Sequence, residues 1–128
     1  MALQHIAFNC KDRIAQERFY TTHFGFARAR VFNPGAPGEF VMIRRDETCL
    51  ELFASADASQ RGGEQAVGFK HLAFEVDDLD AMVAALVADG VAVEGIIDCA
   101  EHVPGMRVCF FNDPEGNRIE LVEGYRDE

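Results

Sequence analysis

Lys70-His71-Leu72-Ala73-Phe74-Glu75-Val76-Asp77-Asp78 repeats what the chain has already said at Gln4-His5-Ile6-Ala7-Phe8-Asn9-Cys10-Lys11-Asp12. Both stretches run His, aliphatic, Ala, Phe and then on to an Asp that precedes a helical pattern. An echo of this kind marks one supersecondary unit used twice. Residues 4–10 alternate without a breaker, as a strand does, with His5, Ala7 and Asn9 on one face and Ile6, Phe8 and Cys10 on the other.

Outward from the first echo, Asp12 supplies a helix N-cap, and Ile14, Arg18, Phe19 and Phe24 follow at roughly helical spacing up to Gly25. The segments 27–32, 40–44 and 49–53 then read as three strands, separated by Asn33-Pro34-Gly35-Ala36-Pro37-Gly38 and by Arg45-Asp46-Glu47. The small, polar stretch 55–68 is the connector. After it the order repeats: a strand over 69–76, then a helix capped by Asp77 or Asp78. That helix carries Leu79, Met82, Val83, Leu86 and Val87 at i, i+3, i+4 spacing and stops at Gly90. Strands over 91–97, 107–111 and 118–122 complete the copy, the last two joined by the turn-rich Asn112-Asp113-Pro114-Glu115-Gly116-Asn117. The predicted fold is α+β, one domain over residues 1–128: a β-α-β-β-β module over about 1–54 and a second over about 69–124, with curled mixed sheets around a cavity.

A chain of 128 residues, 48% of them hydrophobic, is long enough for a core that needs no staples. No apolar run is long enough to span a bilayer, and no basic region followed by an apolar stretch opens the chain, so a cytoplasmic protein without a signal peptide is expected. The net charge of −10 argues against nucleic acid or an anionic membrane as partner. Cys10, Cys49, Cys99 and Cys109 show no zinc or CxxC spacing and read as reduced thiols.

The chemistry sits in polar residues forced onto apolar strands. His5 opens module one and Glu51 lies in its last strand; His71 and Glu120 hold the same two places in module two, 46 and 49 residues apart respectively. A charge within Cys49-Leu50-Glu51-Leu52-Phe53 or Arg118-Ile119-Glu120-Leu121-Val122 is costly unless solvated, paired or bound to a cation. Alternation puts Leu50, Leu52, Ile119 and Leu121 on the faces opposite the glutamates, toward the helices. Ala7 and Ala73 stand two positions along from each histidine and leave space beside an ion. A lone strand glutamate is usually just solvated and a lone histidine usually just packed. Four such residues at equivalent places of a repeat instead form a set, two imidazoles and two carboxylates, that suits an octahedral divalent ion with open water positions.

These residues carry a resemblance. The opening His5-Ile-Ala-Phe, Phe19-Tyr20 with Phe24-Gly25-Phe26, Leu50-Glu51-Leu52-Phe53, His71-Leu-Ala-Phe-Glu-Val-Asp-Asp, and above all Phe111-Asn-Asp-Pro-Glu-Gly-Asn-Arg-Ile-Glu120-Leu-Val resemble the vicinal oxygen chelate superfamily. That superfamily includes glyoxalase I, methylmalonyl-CoA epimerase, extradiol dioxygenases, fosfomycin-resistance transferases and bleomycin-resistance proteins. The resemblance implies paired βαβββ modules and one divalent metal (Ni, Zn, Co, Mn or Fe) held by His5, Glu51, His71 and Glu120. The four-ligand pattern is similar to that of glyoxalase I, which implies a lyase or isomerase moving a proton next to a carbonyl. Such an ion stabilises charge on two neighbouring substrate oxygens, and a nearby carboxylate serves as base, Glu120 first and Glu51 second. The alternatives are an epimerase or dioxygenase of the same superfamily, or a metal-free binding protein of the bleomycin-resistance type.

The resemblance thins at specificity. Bacterial glyoxalase I enzymes carry an Arg and an Asn for glutathione where this chain has Asn9 and Ser55, so a different small α-oxygenated substrate is equally compatible. Asn9, Arg107 and His102 are the candidate substrate contacts, the last two through a lid formed by the loop 98–106. His23 is placed to cap the first helix. Phe40, Met42, Phe53, Cys109 and Phe111 are candidates for an apolar lining, although core packing explains them equally. A homodimer is the expected assembly, with the site built within one chain or shared between two.

Overall fold

The computed structural model describes residues 1–59, 62 and 65–128 and divides into two compact units, Met1–Arg61 and Gly62–Glu128. In the first unit β1 (Ile6–Cys10) leads to α1 (Arg13–His23), then β2 (Ala27–Phe32), β3 (Phe40–Arg45) and β4 (Thr48–Ala54). In the second, β5 (Leu72–Glu75) leads to α2 (Leu79–Ala88), β6 (Ile97–Asp98), β7 (Arg107–Asn112) and β8 (Arg118–Glu123). The sheets have the same plan, β1-β4-β3-β2 and β5-β8-β7-β6. In each, the first strand lies parallel to the last and the remaining pairs are antiparallel. The α+β class and the repeated β-α-β-β-β order are as the sequence predicts. Among the described residues no helix is long and apolar enough to cross a membrane.

Both helices start where the capping aspartates place them. A carboxylate oxygen of Asp12 accepts from the Ala15 amide and one of Asp78 from the Ala81 amide, each at 3.0 Å, satisfying a donor that the first turn leaves open. Helix α2 ends at Asp89, with Gly90 next at φ 82°, a conformation a side chain rarely adopts. Leu79 and Leu86 are fully buried on the expected stripe of α2, whereas Val87 points to solvent.

Helix α1 departs from the spacing. Ile14 and Arg18 are exposed, Ile14 at 71%, and the buried face is Gln16, Phe19 and Tyr20. Tyr20 is the centre of that face: Phe24 and Phe26, from the chain that returns to the sheet, pack on it at centroid distances of 5.7 and 5.9 Å. The aromatic cluster, not the aliphatic at position 14, fixes the rotation of the helix.

Beneath the helices, Val41, Ile43, Leu50 and Leu52 in one sheet and Cys109, Phe111, Ile119 and Leu121 in the other are buried. Cys109 and Phe111 therefore belong to the core rather than to a ligand-lining surface, because they pair with Leu121 and Ile119 on the side away from Glu120. The predicted strand 91–97 is mostly absent. Only an isolated bridge from Val93 to Phe111 and the two residues of β6 form, and Glu94 between them is drawn into an ion pair with Arg118. His5 and His71 each stand one residue before their strands rather than inside them.

The turn 112–117 is held by the Asp113 carboxylate together with backbone hydrogen bonds from the Asp113 amide to the Asn117 carbonyl and from the Gly116 amide to the Asp113 carbonyl, 2.9 Å each. Asp113, buried, accepts from the Glu115 amide (3.0 Å), the Asn117 amide (2.9 Å) and the Asn117 side-chain amide (2.9 Å), closing the β7–β8 hairpin. That hairpin sets the register in which Phe110 lies opposite Glu120.

Candidate metal centre

Strand register carries each glutamate to the open face of its sheet. In unit one Glu51 has Ala7 beside it on β1 and Met42 on β3. In unit two Glu120 has Ala73 on β5 and Phe110 on β7. Both alanines are exposed, so the space beside each carboxylate is not filled by a neighbouring side chain. The residues before and after each glutamate, Leu50 with Leu52 and Ile119 with Leu121, are buried under the helix, which leaves the carboxylate no choice of face.

Each glutamate meets the histidine of its own unit. His5 Nε2 lies 3.6 Å from a Glu51 carboxylate oxygen, and His71 Nε2 lies 2.7 Å from one of Glu120. The two glutamates are about equally covered, with side chains 15% and 14% exposed, and the histidines less so, 38% for His5 and 25% for His71. His5 Nδ1 hydrogen-bonds the Gln4 side-chain carbonyl, which leaves Nε2 as the nitrogen that faces Glu51. Among the described residues no three His, Cys, Asp or Glu side chains are gathered as a metal cluster. What the structure provides is two imidazole–carboxylate pairs, one per unit.

The donor chemistry of each pair suits a divalent ion. An octahedral ion with bonds of about 2.1 Å holds neighbouring ligand atoms about 3 Å apart, and the observed separations of 2.7 and 3.6 Å lie on either side of that value. Both are nitrogen–oxygen pairs of the kind that first-row divalent metals accept.

Around His71 a second set of residues converges that the sequence alone did not single out. The Phe110 ring meets the His71 ring edge-on, with centroids 5.7 Å apart and planes at 69°. The Arg118 guanidinium covers the same phenyl ring at 4.8 Å, and Arg118 is itself ion-paired with Glu94. That pairing holds the Glu94 carboxyl below the usual carboxylate range. The signal was available: Arg118 is two residues before Glu120 and so shares its face.

On the open face of unit one, Asn9, Phe53, Phe40 and Phe32 form one row across the four strands. Phe32, Phe40 and Phe53 stack at 4.5 Å intervals, with the Arg30 guanidinium 5.0 Å from the Phe32 ring centre at the outer end. Phe40 and Phe53, candidates for an apolar lining, thus stand in the row next to Glu51; Asn9, exposed, begins the row.

The other two candidate contacts lie elsewhere. Arg107 pairs with Glu123 and Asp80 at 2.8 Å each, on the side of the sheet away from Glu120. Both carboxylates raise the guanidinium pKa further, so its charge is already matched. His102 is exposed in a loop closed on itself, the Cys99 carbonyl accepting from the His102 amide at 2.9 Å and the Met106 carbonyl from the Cys99 amide at 2.9 Å. His23 ends α1 with its ring 5.0 Å from that of Phe19. None of the four cysteines is in a disulfide, and burial pushes the Cys109 thiol up, away from the reactive thiolate.

Residues 2–121 match the model of the glyoxalase/bleomycin resistance protein/dioxygenase superfamily. The chain is 32% identical over 126 residues to the uncharacterized protein YaeR of Escherichia coli K12, covering 94% of this chain and 95% of that one. A glyoxalase family protein from Enterococcus faecalis superposes with a TM-score of 0.79 at 29% identity, over 95% of this chain and 97% of that chain. Lactoylglutathione lyase from Agrobacterium tumefaciens superposes at 0.67 with 26% identity, over 96% and 93%.

Proposed function

Because the chain belongs to the glyoxalase/bleomycin resistance protein/dioxygenase superfamily, we propose that it is a divalent-metal-dependent lyase or isomerase of the glyoxalase type, acting on a small α-oxygenated compound. The observation that carries the proposal is the recurrence of one histidine–glutamate pair at equivalent places of both modules, His5 with Glu51 and His71 with Glu120. These four residues would hold one ion (Ni, Zn, Co, Mn or Fe), with the exposed alanines Ala7 and Ala73 leaving the approach open. When bound, the ion supplies Lewis-acid stabilisation of negative charge at two neighbouring substrate oxygens.

The chain's own residues supply the rest. Glu120 is the base: its carboxylate takes the proton from the carbon beside a carbonyl and returns it to the neighbouring carbon, so the product is an isomer of the substrate. Glu51 is the second candidate for that role. Gln4 orients the His5 ring through Nδ1. The stacked Phe32, Phe40 and Phe53, in the row beside Glu51, offer a surface for an apolar part of the substrate, and Asn9 a hydrogen-bonding group at its end. Arg107 and His102 have no part in this scheme. Likeness to lactoylglutathione lyase supports a glutathione adduct; Asn9 and Ser55 weigh against it.

The test is metal content first and turnover second. Protein purified and reconstituted with each of the five metals is expected to bind one ion per site and to exchange the proton beside a carbonyl with solvent deuterium. Absence of stoichiometric binding to all five sinks the enzyme proposal. Turnover of the methylglyoxal–glutathione hemithioacetal assigns the glutathione adduct; Fe²⁺-dependent oxygen uptake with catechols assigns a dioxygenase instead. The mass of the loaded species shows whether the homodimer we expect is the unit that completes the site.

The aromatic row favours one second reading, a metal-independent small-molecule binding protein of the bleomycin-resistance kind. It requires that an aromatic ligand bind equally well with and without EDTA.

A further inference from the structure

Resting on the proposed metal-binding role of the histidine–glutamate pairs, we infer that the two pairs are unequal as ligands: that of module two is preorganised, positioned by Phe110 and Arg118, while that of module one is looser and adds less to the affinity. The comparison is between equivalent places of one repeat. The residue paired across from Glu120 on the neighbouring strand is Phe110; the one across from Glu51 is Met42. Phe110 is fixed on several sides. Its carbonyl accepts from the Glu94 amide at 2.9 Å, its ring abuts His71, and Arg118, paired with Glu94, covers the ring. Two residues before Glu120 stands that arginine; two residues before Glu51 stands Cys49, which brings no cation.

The consequences are visible in the pairs themselves. His71 lies at 2.7 Å from its glutamate with a side chain 25% exposed, against 3.6 Å and 38% for His5. His5 is supported by Gln4, its neighbour in an exposed segment ahead of β1, and Met42 is a side chain with three rotatable bonds. A ligand pair already ordered loses less rotamer freedom when the ion arrives, so the same two bonds yield more affinity. Phe110 and Arg118 are positioning residues that act through His71.

Titration calorimetry of the full chain with Co²⁺ separates this inference from the one it rests on. Wild-type protein that binds no Co²⁺ removes the parent proposal and this one with it. Given binding, Phe110→Leu and Arg118→Gln are expected to weaken it about tenfold or more, the usual worth of a supporting residue, Phe110→Tyr to restore most of it, and Met42→Leu to change it less than about twofold, well below that range. The visible spectrum of bound Co²⁺ shifts in Phe110→Leu, because His71 is no longer held in place, and stays as in wild type in Met42→Leu. Unchanged melting of the metal-free variants shows that the effect is not general unfolding. Should Phe110→Leu misfold, Arg118→Gln, at a half-buried position, carries the test. Equal losses in Phe110→Leu and Met42→Leu, or wild-type affinity in both Phe110→Leu and Arg118→Gln, overturn the inference.

Discussion

Glu120 and His71 come within 2.7 Å of one another although 49 residues separate them, and the pair stands on the face of its sheet that the helix does not cover. Substituting Glu120→Gln keeps the shape and removes the capacity to accept a proton. Turnover is expected to fall by about 10²-fold or more, the usual worth of a positioned base. Stability is expected to change by less than about 1 kcal/mol, since the Gln side-chain oxygen still accepts a hydrogen bond from His71. Deuterium exchange into substrate checks the first and chemical denaturation the second. A Glu120→Gln protein with full turnover transfers the role of base to Glu51.

On the opposite face of the same sheet, Glu123 joins helix to strand. One oxygen accepts from the Leu79 amide at 2.9 Å, at the first turn of α2, and the other from Arg107 Nε at 2.9 Å. The Leu79 hydrogen bond first, and Arg107 second, hold the Glu123 carboxyl below its ordinary range; Arg107 does the same for Asp80. A carboxyl whose pKa is lower folded than unfolded adds stability above the unfolded value and loses it as pH falls through the folded one. The destabilisation caused by Glu123→Gln is therefore expected to be largest at neutral pH and to shrink toward zero in acid. Denaturation midpoints of both proteins from pH 7 to pH 3 check it, and a difference that stays constant with pH contradicts it.

Much of this was legible because two levels of pattern agreed. His5-Ile-Ala-Phe and His71-Leu-Ala-Phe announced the repeat, and period-2 alternation around Glu51 and Glu120 chose their faces correctly. What failed was where tertiary contacts outweigh local pattern. Ile14 has the right spacing for a buried residue, yet the Phe19–Tyr20–Phe24–Phe26 cluster turns the helix so that Gln16 goes inside and Ile14 out. Val91 to Ile97 is apolar enough for a strand, but the Glu94–Arg118 pair and Gly95 leave little of it in the ladder. Arg107 looked available for an anion because strand pairing decides its face, and that depends on a register set across the β7–β8 hairpin.

That hairpin depends on Asp113. Its carboxylate is buried and accepts three hydrogen bonds from the turn it closes. Asp113→Ala leaves the Glu115 and Asn117 amides without their acceptor and is expected to cost about 2–4 kcal/mol. Because the register it fixes places Phe110 against Glu120, the variant is also expected to bind metal more weakly than wild type. Urea denaturation measures the first, and calorimetry at a temperature where the variant is folded measures the second. A loss of stability with wild-type metal affinity means that register is held elsewhere.

Metal removal tests the same site from the side of folding. A ligand that binds only the folded state at one hundred times its dissociation constant stabilises by about 2.7 kcal/mol, and for a domain of this size each kcal/mol moves the melting temperature by about 4 °C. Chelation by EDTA is therefore expected to lower the melting temperature by about 10 °C, with recovery on adding the metal back. The variants decide where that stabilisation originates. His71→Ala is expected to abolish the response, because the better ordered pair is lost, whereas His5→Ala retains part of it. Scanning calorimetry with and without chelator shows which; equal residual responses in the two variants mean that both modules contribute alike, and no response in the wild type means that the histidine–glutamate pairs serve something other than a metal.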